Sequence, residues 1–360
     1  MLILVVSDFH LGRGRYFSNG LKNILEDFFE DEKFAEFLAY YSTGKNYLKE
    51  IHLVLNGDIL NLLQIDIDGI FTHVVDEELT INALKSIHKG HLIFFEAIKE
   101  FLKKPNKTIS YIIGNHDAAM IFEGAQKEFN QIVDGQISFS FFQNIHGVYI
   151  EHGHRFDVVN TVDEKDYFII GPGNKKVINL PWASLFCILV LPKLKKERPY
   201  FDKIRPLSAY IKWCILNDFH FFWRIVYLSA IHFLKASSSQ YSKLNRGLFV
   251  TFKMLRHFTH YPRFDKVAKK ILRKSNQYSI VILGHVHLSE WRRFPEGKQY
   301  FNSGSWNVIP SVDVAKHEDV AKLTYIVVDL HPKTGIIHNA SLNNWFGSWK
   351  PYKEEVSSRI

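Results

Sequence analysis

Five short blocks of metal-capable residues punctuate this chain, and each follows directly on an apolar run rich in β-branched residues. The blocks are Asp8-Phe9-His10, Gly57-Asp58, Gly114-Asn115-His116-Asp117, His152-Gly153-His154 and Gly284-His285-Val286-His287. The runs before them are residues 2–6, 52–55, 110–113, 148–151 and 279–283. A chain built this way has to bring the ends of five strands together, because ligand-binding loops of α/β sheets gather at those ends. The donors are Asp8, His10, Asp58, Asn115, His152, His285 and His287, oxygen and nitrogen without thiolate. That set suits divalent Mn²⁺, Fe²⁺ or Zn²⁺ and not a structural zinc.

The spacing has a physical reading. In Asp8-Phe9-His10 the donors stand two residues apart, so an extended backbone turns both to one face and sends Phe9 to the other. The same holds for His285 and His287 about Val286. Glycines beside the donors allow close backbone approach.

Helical periodicity over residues 21–41 and 77–102 alternates with the first three strands, which implies right-handed crossovers and a largely parallel sheet. Strands at 300–302, 324–329 and 336–340 follow one another without helices and are expected to form an antiparallel part. Residues 165–275 have another texture, with few strand signals and long aromatic-rich helical patterns such as 207–234. The expected organisation is a core in two parts, 1–164 and 276–360, around a helical, basic and aromatic insertion at 165–275.

Composition narrows the class. With 360 residues and 46% hydrophobic, the chain can bury a sizeable core. Two cysteines, Cys187 and Cys214, exclude a disulfide framework and suit a reducing compartment. The apolar start at residues 1–6 lacks a basic flank and a cleavage site, and reads as a strand and not a secretory signal. The longest candidate for a membrane span, 177–192, carries no charge over 16 residues, yet it includes two prolines and falls short of the ~20 a span needs. The net charge of +8 is uneven: residues 193–274 hold 19 Lys and Arg against four acids. That clustering, interleaved with aromatics, points to an anionic partner.

The five blocks in this order resemble the motifs of the calcineurin-like metallophosphoesterase superfamily: D-x-H, G-D, G-N-H-D/E, a later H before G, and G-H-x-H. The resemblance covers the N-terminal half and a segment up to Ser305, leaving the insertion outside. It implies an α/β fold of two stacked β-sheets flanked by helices, and a hydrolase of phosphoester or phosphoanhydride bonds that attacks phosphorus with hydroxide held by two metals. Asp8, His10 and His287 would hold one metal, Asn115, His152 and His285 the other, with Asp58 bridging. Manganese is the first expectation, iron or zinc the alternatives. His116 would be the catalytic histidine and Asp117 would orient it. His154, Arg13 and Arg155 are candidates for contacts to substrate or ligands, and Arg15 for phosphate. Asn302-Ser303-Gly304-Ser305 resembles the turn that follows the last motif. His88, His91, His220, His232, His257 and His260 lack ligand context and read as helix or surface histidines.

The insertion is apolar and basic at once, which suits either packed helices or a surface that inserts aromatics beneath headgroups while Lys and Arg meet anionic lipid. In this it resembles, in part, the UDP-2,3-diacylglucosamine pyrophosphohydrolases of lipid A synthesis. Those usually carry Arg where His116 stands and Asp where His154 stands, and have a smaller insertion. The expectation is a lipid-linked substrate met at the cytoplasmic face of a membrane, with no obligate protein partner. The alternatives are a soluble phosphodiesterase or Ser/Thr-type phosphatase, and a nuclease whose basic insertion grips a phosphate backbone.

Overall fold

Alternation along the first strand sets the layers. In β1 (Leu2–Val6), Ile3 and Val5 point into one apolar cluster while Leu4 and Val6 point into another. β2 (Ile51–Asn56) repeats this, with Val54 on the first side and Ile51, Leu53 and Leu55 on the second. A strand apolar on both faces must be covered on both. The computed structural model describes the chain except for residues 18, 67–70, 200, 202–203, 205–206, 239–262, 308–321, 349–352 and 355–360.

The architecture is α/β, with two main sheets flanked by helices. β1 and β2 join β3 (Lys107–Ile112) and β4 (Ser138–Ser140) in parallel; on the other side of β1, β12 (Thr324–Leu330), β13 (Ile337–Asn344) and β14 (Lys353–Glu354) continue antiparallel. The second sheet has the order β10-β11-β9-β6-β5. Its members are β5 (Phe142–Ile145), β6 (Val148–Glu151), β9 (Ile280–Leu283), β10 (Glu290–Arg293) and β11 (Gln299–Asn302). Ile3, Val5, Val54 and Ile326 of the first sheet meet Val148, Ile150, Ile280, Ile282 and Phe301 of the second in one buried cluster between them.

The first sheet's other face carries α1 (Asp31–Ser42), α2 (Glu77–Gly90), α3 (Leu92–Leu102) and α4 (Glu123–Ile132) over an aromatic core. The second sheet's outer face carries α9 (Phe264–Lys274), whose Phe264, Ala268 and Leu272 pack on Tyr149, Val281, Leu283 and Tyr300. Between β6 and α9 the described residues form a hairpin, β7 (Phe168–Ile170) with β8 (Lys176–Ile178), and the helices α5 (Trp182–Leu189), α6 (Leu191–Glu197), α7 (Leu207–Asn217) and α8 (Phe219–Ser238). These helices share an apolar cluster of their own around Trp182, Phe186, Leu194, Cys214, Phe221 and Ile225. Ile178, Leu180, Leu185 and Ile188 join the helix-side core of the first sheet, and Lys195 reaches the buried Asp27 at 3.0 Å.

Three expectations need correction. Residues 300–302 do not join the antiparallel part: β11 runs parallel to β9 and is antiparallel only to β10. The helix expected over 21–41 begins only at Asp31, because Glu26 turns inward and accepts from the amides of Gly12, Gly14, Asp27 and Phe28. The helix expected over 77–102 breaks at His91, which closes α2 and opens α3. His91 is no surface residue. It is buried with Nδ1 2.9 Å from Asp31 Oδ1 and Nε2 3.3 Å from Glu26 Oε2. His232 is buried too, against Trp182 and Phe186, while His257 and His260 lie outside the described residues.

Candidate metal centre

The donors sit on turns that directly follow the strands. β1 ends at Val6 before Asp8 and His10, β2 at Asn56 before Asp58, β3 at Ile112 before Asn115, β6 at Glu151 before His152, and β9 at Leu283 before His285 and His287. The backbone that presents them is not extended, as the two-residue spacing suggested. Asp8, His10, Asp58, His285 and His287 all have positive φ, between 52° and 72°. For residues with a Cβ the left-handed region costs ~1 kcal/mol or more each, and clustered strain of that kind marks functional sites. Phe9 between the first pair does point into the core, with its ring 5.0 Å from Trp306 and 5.2 Å from Phe28.

Close approach needs glycine at three places. A Cβ at Gly57 would lie 2.5 Å from the His152 ring, one at Gly284 would lie 2.8 Å from Asp8 Oδ2, and one at Gly114 would strike Asp58. The turn 302–305 braces the same loops. Ser303 Oγ meets Ser7 Oγ at 2.6 Å, Ser305 Oγ donates to the Asp8 carbonyl at 2.8 Å, and Asn302 Nδ2 donates to the Gly284 carbonyl at 2.8 Å.

Among the described residues three groups lie close enough to hold a metal ion: Asp8 with His10 and His287, His10 with Asp58 and His116, and Asp58 with His152 and His285. Asp58 is shared, with Oδ2 3.2 Å from His152 Nε2 and 3.9 Å from His10 Nε2. His287 Nε2 lies 3.3 Å from Asp8 Oδ1 and 3.0 Å from His10 Nε2. Asn115 Oδ1 is buried with no hydrogen-bond partner, and the buried Asp8 Oδ1 and His152 Nε2 face only other members of the cluster, His287 Nε2 at 3.3 Å and Asp58 Oδ2 at 3.2 Å. Buried carboxylates and imidazoles that face mainly one another fit divalent cations held between them. His152 Nδ1 donates to the Asn56 carbonyl at 2.9 Å, which leaves Nε2 as its donor to a metal.

The charge balance agrees. Burial pushes the Asp58 carboxyl up, yet His152, His116 and His10 around it outweigh that and hold it well below the usual range. Burial works against a charge on His152, but the carboxylates of Asp58 and Asp8 raise it to about 10.

His116 stands against this cluster with its ring 4.4 Å from that of His10, and its amide donates to Asp58 Oδ1 at 2.8 Å. Asp117 does not orient it. That carboxylate accepts from Tyr111 Oη at 2.5 Å, Ile59 N at 2.9 Å and Gly114 N at 2.6 Å, clamping the loops after β2 and β3 together. Burial, then the Asp58 charge, lifts Asp117 to about 7. The residue that meets His116 Nδ1 is Asn61, whose Oδ1 lies 3.1 Å away and whose Nδ2 donates to Gln64 Oε1. Asn61 stands three residues after Asp58, and sequence reading passed over it because a lone Asn in a loop has no signature.

His154 is buried beside His152 with Nδ1 unpartnered; burial, then His152 and His285, holds it well below the usual histidine range. The arginines are engaged elsewhere. Arg13 pairs with Asp66 at 2.7 Å, Arg155 with Glu151 at 2.6 Å, and Arg15 lies over the Phe29 ring. A second residue without a sequence signal is Asp157, 3.0 Å from His285 Nε2.

No family model matches the chain, and no curated protein matches it. Solved structures with similar backbones include a mutant Vps29 from Entamoeba histolytica, at TM-score 0.31 and 12% identity over 99% of this chain and 97% of that one. Another is a conserved uncharacterised protein from Streptococcus pneumoniae described as a predicted phosphoesterase, at 0.30 and 11% over 99% and 93%. A third is a dimetal phosphatase from Danio rerio, at 0.35 and 10% over 96% and 95%. Backbones that superpose this loosely leave the functional case to the chain's own residues.

Proposed function

We propose that this chain hydrolyses phosphoester or phosphoanhydride bonds with two divalent cations, one held by Asp8, His10 and His287, the other by Asn115, His152 and His285, with Asp58 between them. The observation that supports this most is the overlap of three side-chain groups, Asp8 with His10 and His287, His10 with Asp58 and His116, and Asp58 with His152 and His285, joined through His10 and Asp58. When bound, such a pair supplies Lewis-acid stabilisation of phosphoryl charge and a water-derived nucleophile at neutral pH. The chain's own part is to hold the phosphoryl group in place and handle a proton. With Nδ1 donating to Asn61, neutral His116 keeps a lone pair on Nε2. That atom would first take up a proton before giving it to the leaving oxygen, a charge that burial opposes and the nearby Asp58 carboxylate favours. Asp117 keeps Asp58 and Asn115 in register by clamping both turns, and acts through them and not on substrate.

Manganese is the proposed metal, with Fe²⁺ and Zn²⁺ compatible with the same donors. The test is hydrolysis of bis-p-nitrophenyl phosphate by protein loaded with Mn²⁺, beside Asp58→Ala. Loss of the shared carboxylate should lower kcat by on the order of 10³ or more and remove at least one bound ion. Full activity of Asp58→Ala would overturn the two-metal reading.

The proposed substrate carries its phosphate on a lipid, in the manner of UDP-2,3-diacylglucosamine, and is met at the cytoplasmic face of an anionic membrane. What favours this over a soluble phosphodiesterase or a nuclease is the surface of α7 and α8, where Trp213, Leu216, Phe219, Trp223, Tyr227 and Leu234 are exposed. A nucleic-acid groove has little use for such large apolar side chains. No helix among the described residues is long and apolar enough to cross a membrane, so contact would be interfacial. The basic stretch at 239–262 lies outside the described residues.

A further inference from the structure

His285 faces a carboxylate that no ligand set uses. Its Nε2 lies 3.0 Å from Asp157 Oδ2 and 3.4 Å from Asn160 Nδ2. An ionised carboxylate only accepts, so the ring nitrogen turned towards it carries a proton and the other ring nitrogen keeps its lone pair. A bare Nε2 at that distance would set two lone pairs against each other. Asp157 lies outside each of the three donor groups. Among the described residues its side chain touches the centre through His285.

Asp157 is itself fixed from behind. Its Oδ2 accepts from Asn160 Nδ2 at 2.8 Å and its Oδ1 accepts from Val159 N at 3.2 Å. Val159 buries its side chain in the apolar cluster of α5, α6, α7 and α8, and its carbonyl accepts from Ala183 N at 3.1 Å. The turn that presents the carboxylate is therefore anchored by the helices inserted between β6 and α9.

We propose that Asp157 is a positioning residue, which fixes the Nε2–H tautomer and ring orientation of His285 so that Nδ1 is the atom offered to the cation shared with His152 and Asp58. This rests on the dinuclear reading above. The anchoring of Val159 adds a consequence: packing of the inserted helices is transmitted to the half of the centre that His285 joins. Second carboxylate partners of metal-binding histidines act in this way, and their removal weakens metal binding about 10–100-fold.

The test titrates metal-free protein with Mn²⁺ by calorimetry and records ¹⁵N NMR of the imidazoles in Zn²⁺-loaded protein, with His285→Gln assigning the signal. Wild type should bind two ions and show a directly bonded proton on His285 Nε2. Asp157→Ala should bind one ion as wild type does and the other about 10–100-fold more weakly, with the Nε2–H signal shifted or lost. Asp157→Asn, whose amide oxygen still accepts from Nε2–H, should recover most of that affinity, and this rescue separates positioning from a general loss of fold. Two wild-type affinities in Asp157→Ala, an unprotonated Nε2 in wild type, or a crystal with Asp157 oxygen bonded to the metal would each overturn the proposal. Binding of fewer than two ions by wild type itself would instead overturn the dinuclear reading and this proposal with it.

Discussion

His116 and Asp117 are neighbours in sequence and part company in the structure. One stands against the donor cluster, the other turns back to tie two loops through Tyr111, Ile59 and Gly114. The roles separate experimentally. His116→Ala should keep both ions while kcat falls roughly 10²–10⁴-fold, the range of a general acid. Asn61→Ala frees the imidazole to rotate and should lower kcat about 10–100-fold with KM little changed. Metal analysis beside steady-state kinetics decides, and loss of an ion in His116→Ala would make that histidine a ligand, as its grouping with His10 and Asp58 allows. The grouping of Asp8, His10, Asp58, His152, His285 and His287 was legible because each follows a strand and carries a side chain able to bind metal. Asn61 and Asp157 were not, since their roles come from which loops meet in space and neither belongs to a periodic or motif-bearing run. The left-handed backbone at Asp8, His10, Asp58, His285 and His287 was hidden too, because short-range spacing says which residues are close without saying which turn brings them there.

The elements show the same division. The strand ends and the sites of α2 and α3 could be read from alternation and from helical period, and α2 starts where Asp76 accepts from the Leu79 amide. The segment before α1 could not, because its apolar spacing mimics a helix while buried Glu26 gathers amides that a helix would keep for itself. His91, at the break between α2 and α3, holds that carboxylate in place together with Asp31. Burial opposes charge on His91, but its contacts with Asp31 and Glu26 outweigh it and raise its pKa to about 9, against an ordinary 6.5. A raised folded-state pKa contributes stability that is complete below the unfolded value, near 6.5, and is lost as pH climbs through 9. The shift corresponds to at most about 3 kcal/mol. Urea unfolding of wild type should therefore show stability declining between pH 6.5 and about 9, and His91→Gln should remove most of that slope. An identical slope in the variant would show that other groups set it.

At the scale of the whole molecule, the two sheets converge their loops at one edge and, among the described residues, the inserted helices leave one face exposed. On α8, Phe221, Ile225, Leu228 and His232 are buried, while Phe219, Trp223, Tyr227 and Leu234 lie on the opposite side and are exposed, Leu234 at 67%. On α7, Leu216 is 83% exposed beside Trp213. Both helices thus have two apolar faces, one used by the packing of the insertion and one not. His220 and Arg224 flank the exposed stripe of α8, and Lys193, Lys196 and Lys212 are exposed on the neighbouring helices. Aromatics bordered by cations are the pattern of an interfacial surface, where each Lys or Arg near anionic lipid adds up to about 1 kcal/mol. Two aromatic side chains buried among headgroups contribute roughly 3 kcal/mol together, so Phe219→Ser with Trp223→Ser should weaken binding about 100-fold. The measurement is flotation with liposomes containing a third phosphatidylglycerol, at low and high salt, against pure phosphatidylcholine. Wild type should float with the anionic vesicles and release as salt rises, and the double variant should stay at the bottom while hydrolysing bis-p-nitrophenyl phosphate at the wild-type rate. If wild type does not float, and sedimentation instead shows a dimer that the double variant abolishes, the uncovered face belongs to a second copy of this chain. The membrane reading then falls while the metal centre is untouched, since the donors that form it come from the ends of the core strands and none from α7 or α8.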